Sequence, residues 1–288
     1  MKSGRGEQCS PAKNADIRAN TVRPYTIAAY AKLNLFLDIL GKRDDGYHEI
    51  LTTMCLIDLA DDVTISVSDG DGISGVTAEN TAYKATALFL HKTGIKKHIE
   101  INIVKKIPVM AGLGGSGADA AAVLRGLNEL FGEPFTTREL MELGGEIGSD
   151  VPFMIHGGFA LCKGRGTEIA EVLPLPDCFF VIVKPEFECS SKEAYALYAA
   201  NPIPRTEWQG GLQVYNIFEK LYNNPEIDKI KRELTALGAS SAGMTGSGSA
   251  VFGVFETGEK AQKAFSGLNY TEKFIARPFA PLTKYINL

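Results

Sequence analysis

Apolar and polar residues alternate along residues 28–40 of this 288-residue chain. A period of two predicts a β-strand, because successive side chains of a strand point to opposite faces. The alternating sets are Leu33, Leu35, Leu37 and Ile39 on one face and Lys32, Asn34, Phe36 and Asp38 on the other. Residues 63–68 (VTISVS) and 99–104 (IEINIV) alternate in the same way. The pattern therefore predicts three strands in this part of the chain.

Helical spacing is found between and after these strands. Residues 80–91 predict a helix with one apolar face, formed by Ala85, Leu88 and Phe89. A second helix is predicted after the glycine run at 112–117, with an apolar stripe of Val123, Leu124, Leu127, Leu130 and Phe131. Thr136 and Glu139 have the spacing of a capping box, so a third helix is expected to begin there. Strands and helices that do not strictly alternate indicate the α+β class.

The pattern breaks at residues 174–178 (PLPDC) and resumes with an apolar strand at 179–183. We therefore predict a domain boundary near residue 176, with one domain at 24–175 and another at 176–288. The second domain is expected to contain several further elements. They are helices capped by Ser190-x-x-Glu193 and by Asn224-Pro225, a strand after a second glycine loop at 243–248, a helix near 258–267 and a strand near 273–278.

Composition narrows the class of protein. The chain is 45% hydrophobic and 22% charged, which is typical of a soluble globular protein. A net charge of −4 without a basic stripe argues against nucleic-acid binding, and no apolar run is long enough to span a membrane. Five scattered cysteines argue against a secreted disulfide framework and favour the cytoplasm. Residues 1–23 are polar and are expected to form a mobile tail.

The run GLGGSGAD at residues 112–119 has the composition of a phosphate-binding loop. Its glycines also fit the dinucleotide-binding spacing, but no strand leads directly into them. The Lys-Ser/Thr pair of a P-loop and the partner motifs of protein kinases are both missing. From this run alone, a phosphate cradle and a tight structural turn stay equally open.

Three blocks together carry a resemblance: residues 29–50 (AYAKLNLFLDILGKRDDGYHEI), 107–124 (IPVMAGLGGSGADAAAVL) and 244–255 (MTGSGSAVFGVF). Their order and separation resemble the small-molecule kinases of galactose, homoserine, mevalonate and phosphomevalonate. The first block, with GSDVPF at 148–153 and GRGTEI at 164–169, resembles the 4-diphosphocytidyl-2-C-methyl-D-erythritol kinase family. The resemblance implies a two-domain fold, with a domain like ribosomal protein S5 followed by a ferredoxin-like domain. It also implies ATP-dependent phosphorylation of the substrate 2-hydroxyl in the non-mevalonate isoprenoid pathway.

The resemblance also implies roles for individual residues. Lys32 and Asn34 project from one face of a strand, which on the strand alone favours a solvated polar face. In the family, the lysine instead pairs with an aspartate, here Asp150, at the substrate hydroxyl. Such a carboxylate can accept the hydroxyl proton, and the lysine offsets developing charge. Substrate-binding roles are implied for Asn34 and for three residues that would hold the cytosine: Tyr47 by stacking, His48 by hydrogen bonding and, less specifically, Tyr195 by closing the sandwich.

The ATP site implied by the resemblance contains residues of both glycine loops and their surroundings: Asn80, Lys105, Gly112, Gly114, Gly115, Ser116, Gly117, Asp119, Gly246, Ser247 and Gly248. One departure stands out, since Gly117 and Ala118 occupy positions where the family typically has two serines. No metal-ligand cluster is apparent in the sequence, so Mg²⁺ is expected to arrive with ATP.

We expect a small cytidine-diphosphate polyol as the partner, no nucleic acid or membrane partner, and a monomer or homodimer. Two alternatives stay open. One is a related kinase, or a decarboxylase of the same superfamily, acting on another small molecule. The other is a weakly active or non-catalytic paralogue that binds nucleotide or a cytidine ligand.

Overall fold

The computed structural model describes residues 24–280, so the predicted tail at 1–23 lies outside the described residues. The strands in this part are β1 (Tyr25–Lys42), β2 (His48–Ser68), β3 (Gly72–Ser74), β4 (His98–Val104), β5 (Phe159–Lys163), β6 (Glu168–Val172), β7 (Phe179–Lys184), β8 (Tyr215–Asn216), β9 (Ser241–Met244), β10 (Val251–Phe255) and β11 (Glu272–Ala276). The helices are α1 (Thr81–Thr93), α2 (Gly115–Leu130), α3 (Thr137–Ile147), α4 (Val151–His156), α5 (Ser191–Ala200), α6 (Ile217–Tyr222), α7 (Pro225–Ala236) and α8 (Gly258–Gly267).

The first sheet has seven strands and is built around the long antiparallel pair β1–β2. Its order is β3-β4-β2-β1-β8, and β5 joins β2 to β6. The register of β1 against β2 runs from Tyr25 opposite Ile65 to Lys42 opposite His48. The predicted strand at 63–68 is therefore only the end of β2. Its earlier part was missed because residues 50–57 are almost all buried and lack a period of two.

The second sheet has four antiparallel strands in the order β11-β7-β10-β9. Numbered within this half, the order is 4-1-3-2, which with its two crossing helical segments is the ferredoxin-like arrangement that the resemblance implies. Both faces of β7 are buried: Phe180 and Ile182 pack into the core shared with β1 and α2. Val181 and Val183 face a second core formed with α7 and α8. The apolar run at 179–183 is thus explained by burial on both sides.

The halves of the chain are also joined by hydrogen bonds. β8 pairs in parallel with β1, where Phe36 is opposite Tyr215 and Leu37 opposite Asn216. After β11, the N–H of Phe279 donates to the carbonyl of Leu56 on β2 at 2.8 Å. The segments that follow the predicted boundary near residue 176 therefore contribute to the first sheet, and the boundary itself stays a prediction.

Most predicted helix starts agree with the structure. Thr136 caps α3 with the complete capping box, and Asn224 caps α7 through its side chain. Helix α5 does begin after Ser190, but the Ser190 side chain makes no capping hydrogen bond. Ser190 is therefore the N-cap residue as predicted, but the side-chain hydrogen bond expected of it is missing. No helix of the described residues is both long and apolar enough to cross a membrane.

Candidate active site

A cleft of about 1130 Å³ opens where β1, the two glycine loops and the starts of α2, α4 and α5 meet. Every residue predicted above for the catalytic, substrate and ATP sites lines this cleft. Residues from position 32 to position 248 are thus brought together by the fold, as the resemblance implied. The volume exceeds that of a typical single-ligand pocket, which suits two substrates bound side by side.

Lys32 lies at the bottom of the cleft and is almost completely buried. Its Nζ donates to the carbonyl of Gly112 at 3.0 Å and to Oδ1 of Asn34. Asn34 is buried too, and its Nδ2 donates to Oγ1 of Thr52 at 2.8 Å. The solvated polar face favoured by the strand pattern is therefore wrong, because the glycine loop covers this face of β1.

Asp150 stands immediately before α4, and its Oδ2 lies 3.7 Å from Nζ of Lys32. The aspartate side chain is 38% exposed, whereas that of the lysine is only 4% exposed. The carboxylate can therefore reach a ligand while the ammonium stays fixed behind it. The two side chains of the pair implied by the resemblance therefore lie side by side in the cleft, and their catalytic roles stay a prediction.

The two glycine loops touch each other above Lys32. Gly112 has a φ of +75°, and a Cβ there would lie 2.2 Å from the carbonyl oxygen of Thr245. Gly246 has a φ of +57°, and its Cβ would lie 2.8 Å from the carbonyl oxygen of Gly112. Both positions need glycine because of backbone conformation and close approach. The loops leave no room for side chains where they meet.

The altered triplet at 116–118 divides into three different environments. Ser116 lines the cleft, and its carbonyl accepts a hydrogen bond from Oγ1 of Thr81 at 2.6 Å. A Cβ at Gly117 would lie 3.4 Å from Cβ of Asp150, which is ordinary van der Waals contact. Ala118 is 1% exposed and packs in the core. Of the two positions where the family typically has serine, only 117 therefore lies beside Asp150.

Lys105 joins two acidic residues at the start of α2. Its Nζ donates to Oδ2 of Asp119 at 2.8 Å and to Oδ2 of Asp61 at 2.5 Å. Burial alone would lower the pKa of Lys105, but the hydrogen bonds to Asp119 and Asp61 raise it. Burial raises the pKa of Asp119 even beside this ammonium. Asp61 was missed by sequence reasoning, since nothing local distinguishes it from the adjacent Asp62.

The opposite end of the cleft is aromatic. Tyr47 is 54% exposed, and the guanidinium of Arg165 lies 4.5 Å from its ring centroid. The ring of His48 stacks on that of Tyr195 with centroids 5.1 Å apart. Burial and the nearby Lys42 lower the pKa of His48, which favours the neutral form of the imidazole. One face of Tyr195 is thus covered by His48, and its role in closing a cytosine sandwich stays a prediction.

Hydrogen bonds link the nucleotide and aromatic ends of the cleft. Ser247 in the second glycine loop shares a hydrogen bond of 2.7 Å with Ser191, the first residue of α5, which carries Tyr195. The carbonyl of Ser247 also accepts a hydrogen bond from the hydroxyl of Tyr222 at 3.1 Å.

Asn80 caps α1 by accepting from the N–H of Ala82 at 2.8 Å, which leaves its Nδ2 for another partner.

Two family profiles match the chain: "GHMP kinases N terminal domain" at residues 80–158 and "GHMP kinases C terminal" at 220–272. A 4-diphosphocytidyl-2-C-methyl-D-erythritol kinase from Bacillus pumilus is 40% identical over 265 residues, which are 83% of this chain and 91% of the relative. Another from Clostridium botulinum is 40% identical over 277 residues, which are 87% and 99% of the two chains. The chain belongs to the 4-diphosphocytidyl-2-C-methyl-D-erythritol kinase family.

Solved structures agree with this family. The crystal structure of a 4-(cytidine 5'-diphospho)-2C-methyl-D-erythritol kinase matches with a TM-score of 0.77 and 30% identity, covering 88% of this chain and 98% of that one. Homoserine kinase from Cytophaga hutchinsonii matches with a TM-score of 0.69 at 21% identity, covering 90% and 95% of the two chains. The second likeness shows the shared fold of the small-molecule kinases. The names of the relatives and the two family matches show that this chain is a small-molecule kinase.

We expect Gly112→Ala to weaken ATP binding at least about tenfold, because the new methyl group must push the two glycine loops apart. Isothermal titration with a non-hydrolysable ATP analogue measures this change. Gly132→Ala is the matched control, since Gly132 has a φ of +77° but no atom within 4 Å of its Cβ position. Equal nucleotide affinity in both variants would show that the contact between the loops does not shape the site.

Proposed function

We propose that this kinase transfers the γ-phosphoryl group of ATP to the 2-hydroxyl of 4-diphosphocytidyl-2-C-methyl-D-erythritol. One observation carries the proposal: the Lys32–Asp150 pair lies in a single cleft between the glycine loops and the exposed ring of Tyr47. A nucleotide on the loops and a cytidine on the ring would bring the reacting groups to that pair. The names of the relatives support the same substrate.

The residues around the glycine loops suit the phosphates of ATP. The first turn of α2 presents free N–H groups next to Lys105, so backbone donors and an ammonium converge on one region. The close contact of Gly112 and Gly246 leaves the loop backbone uncovered by side chains. We infer that Asn80 lines the nucleoside end of this region, whereas the Lys105 ammonium, 3.4 Å from the Cβ position of Gly115, faces its phosphate end. Mg²⁺ arriving with the nucleotide would neutralise charge on the transferred group.

The chain's own part in the reaction is positioning and proton acceptance. Asp150 would accept the proton of the attacking hydroxyl, since its carboxylate is the exposed member of the pair. Lys32, fixed by the carbonyl of Gly112 and by Asn34, would offset the negative charge that builds up during transfer. The neutral imidazole of His48 would read the edge of the cytosine, and Tyr47 would stack on its face.

The proposal extends to the location of the protein in the cell. We infer a cytoplasmic location from the cysteine usage, and in the described part of the chain Cys55, Cys162, Cys178 and Cys189 are all free thiols.

A ligand-binding paralogue with little turnover is the second candidate function, because Gly117 puts no hydroxyl beside Asp150. Calorimetry and turnover on one preparation separate the two functions.

The direct test is ADP release from Mg·ATP with 4-diphosphocytidyl-2-C-methyl-D-erythritol as acceptor. We expect saturable turnover with this acceptor and little with homoserine or galactose, since neither carries a nucleobase on which Tyr47 could stack. Turnover of homoserine or galactose, without turnover of the cytidine substrate, would refute the proposed acceptor. It would not change the family to which the chain belongs. Binding of both substrates without any turnover would favour the second candidate.

We expect Asp150→Asn to lower kcat by about 10²–10⁴-fold, the range for loss of a general base, with a much smaller change in KM. The amide keeps the shape of the side chain but cannot accept the hydroxyl proton. Steady-state kinetics measures both constants. Asp69→Asn, a substitution at an exposed aspartate paired with Lys97, is the control. An unchanged kcat would remove Asp150 from the proposed mechanism.

Tyr47→Ala is expected to raise KM for the cytidine substrate by about tenfold, the equivalent of a stacking contribution of roughly 1–3 kcal/mol. KM for ATP should change far less, because Tyr47 lies at the other end of the cleft. Tyr47→Phe keeps the aromatic face and is expected to lose less affinity. If alanine and phenylalanine behave alike, stacking is not the role of this ring.

A further inference from the structure

Asp61 is a fully buried carboxylate at the nucleotide end of the cleft. Its Oδ1 accepts the backbone N–H groups of Lys106 at 2.5 Å and Ile107 at 2.7 Å. Its Oδ2 accepts Nζ of Lys105 at 2.5 Å. A buried carboxylate needs such donors, because it has lost its hydration. One side chain of β2 thereby holds both the backbone that leads into the first glycine loop and the ammonium of Lys105.

The position of that ammonium is electrostatically demanding. A Cβ at Gly115, the first residue of α2, would lie 3.4 Å from Nζ of Lys105. The positive end of a helix disfavours a neighbouring cation. Without compensation, the flexible lysine side chain would turn away into solvent, because 38% of it is already exposed. The acidic partners therefore hold Lys105 at a place that the helix alone would not favour.

Of the two acidic partners, Asp61 is the stronger anchor. It accepts three hydrogen bonds, one from Lys105 and two from backbone N–H groups that hold the carboxylate in place. Asp119 accepts one from Lys105, and its Oδ1 is buried with no hydrogen-bond partner in the part of the chain that the structure describes. Burial raises the pKa of Asp119 to about 6, which still leaves this carboxylate largely charged at pH 7, so the two partners differ in their hydrogen bonds.

We propose that Asp61 is a positioning residue of the nucleotide site, which holds the Lys105 ammonium beside the first turn of α2 so that both meet the same nucleotide anion. The proposal rests on the proposed function in one respect, namely that the cleft binds ATP. Asp61 is buried and acts only through Lys105 and the 105–107 backbone. Its carboxylate offsets the repulsion between ammonium and helix until the nucleotide arrives.

A double-mutant cycle separates action through Lys105 from a purely structural role. In Asp61→Asn, the amide oxygen can still accept from the N–H groups of Lys106 and Ile107, but the negative charge facing Lys105 is lost. We expect it to weaken binding of a non-hydrolysable ATP analogue with Mg²⁺ by about tenfold, as for loss of one charge-assisted hydrogen bond. In a Lys105→Gln background, the same change should cost less than about twofold, since coupled residues are not additive.

The matched control is Asp62→Asn, a substitution at the neighbouring aspartate, whose carboxylate pairs with Lys106 at 2.7 Å and is 43% exposed. Its nucleotide affinity should equal that of the wild type. If Asp61→Asn lowers nucleotide affinity equally in the wild-type and Lys105→Gln backgrounds, Asp61 acts through the backbone alone and the proposal is overturned. No loss of affinity in either background would also overturn it. The titration contains the ATP analogue and Mg²⁺ but no acceptor. Its result therefore does not depend on which alcohol the kinase phosphorylates. A wild-type chain that binds no ATP analogue would refute the nucleotide site and this proposal together.

Thermal unfolding of each variant shows whether it folds. If Asp61→Asn alone does not fold, the double variant with Lys105→Gln decides the question. A folded double variant with the nucleotide affinity of Lys105→Gln supports the proposal, because the ammonium that had lost Asp61 was then the cause of unfolding. A double variant that also fails to fold overturns it, because the backbone contacts are then what Asp61 provides.

Discussion

The structure depends on one buried cation. Lys32 lies on the central strand pair, out of contact with bulk water, and its ammonium must be satisfied by groups from elsewhere. Those groups are the carbonyl of Gly112, the side chain of Asn34 and, at longer range, the carboxylate of Asp150. They belong to β1, the first glycine loop and the start of α4. Satisfying one charge therefore fixes the relative positions of three segments.

The glycine loops follow from the same requirement. The carbonyl of Gly112 faces Lys32 from a residue with a positive φ, and Oγ1 of Thr245 in the second loop donates to the same carbonyl at 3.4 Å. Thr245 of that second loop also accepts the backbone N–H of Asn34 at 2.8 Å. The polar groups on β1 thus organise both loops.

Local patterns predicted the elements more fully than they predicted the site. The period of two at 28–40 and the capping box at Thr136 and Glu139 are set by nearest neighbours along the chain, so the sequence was sufficient for them. The burial of Lys32 could not be predicted from its strand, because periodicity gives the face of a residue but not what covers it. The cover comes from residues 80 positions away.

The candidate site residues were found by resemblance, and the fold brings them into one cleft. The contacts of Asp61 and Ser191 arise only when distant segments meet, and neither residue stands in a recognisable motif. The altered triplet shows the same limit. From the sequence, Gly117 and Ala118 are equivalent departures from the family pattern. In the structure Gly117 lies beside Asp150, whereas Ala118 packs in the core.

The parallel pairing of β8 with β1 has a consequence for motion. Because this strand and the segment after β11 are hydrogen-bonded into the first sheet, a swing of one half against the other would have to break these hydrogen bonds. Small local displacements of the cleft wall would admit substrates and release products without breaking them. Helix α5 is well suited to this, since only Ala194 in it is buried. The hydrogen bond between Ser191 of this helix and Ser247 of the second glycine loop therefore ties any displacement of α5 to that loop.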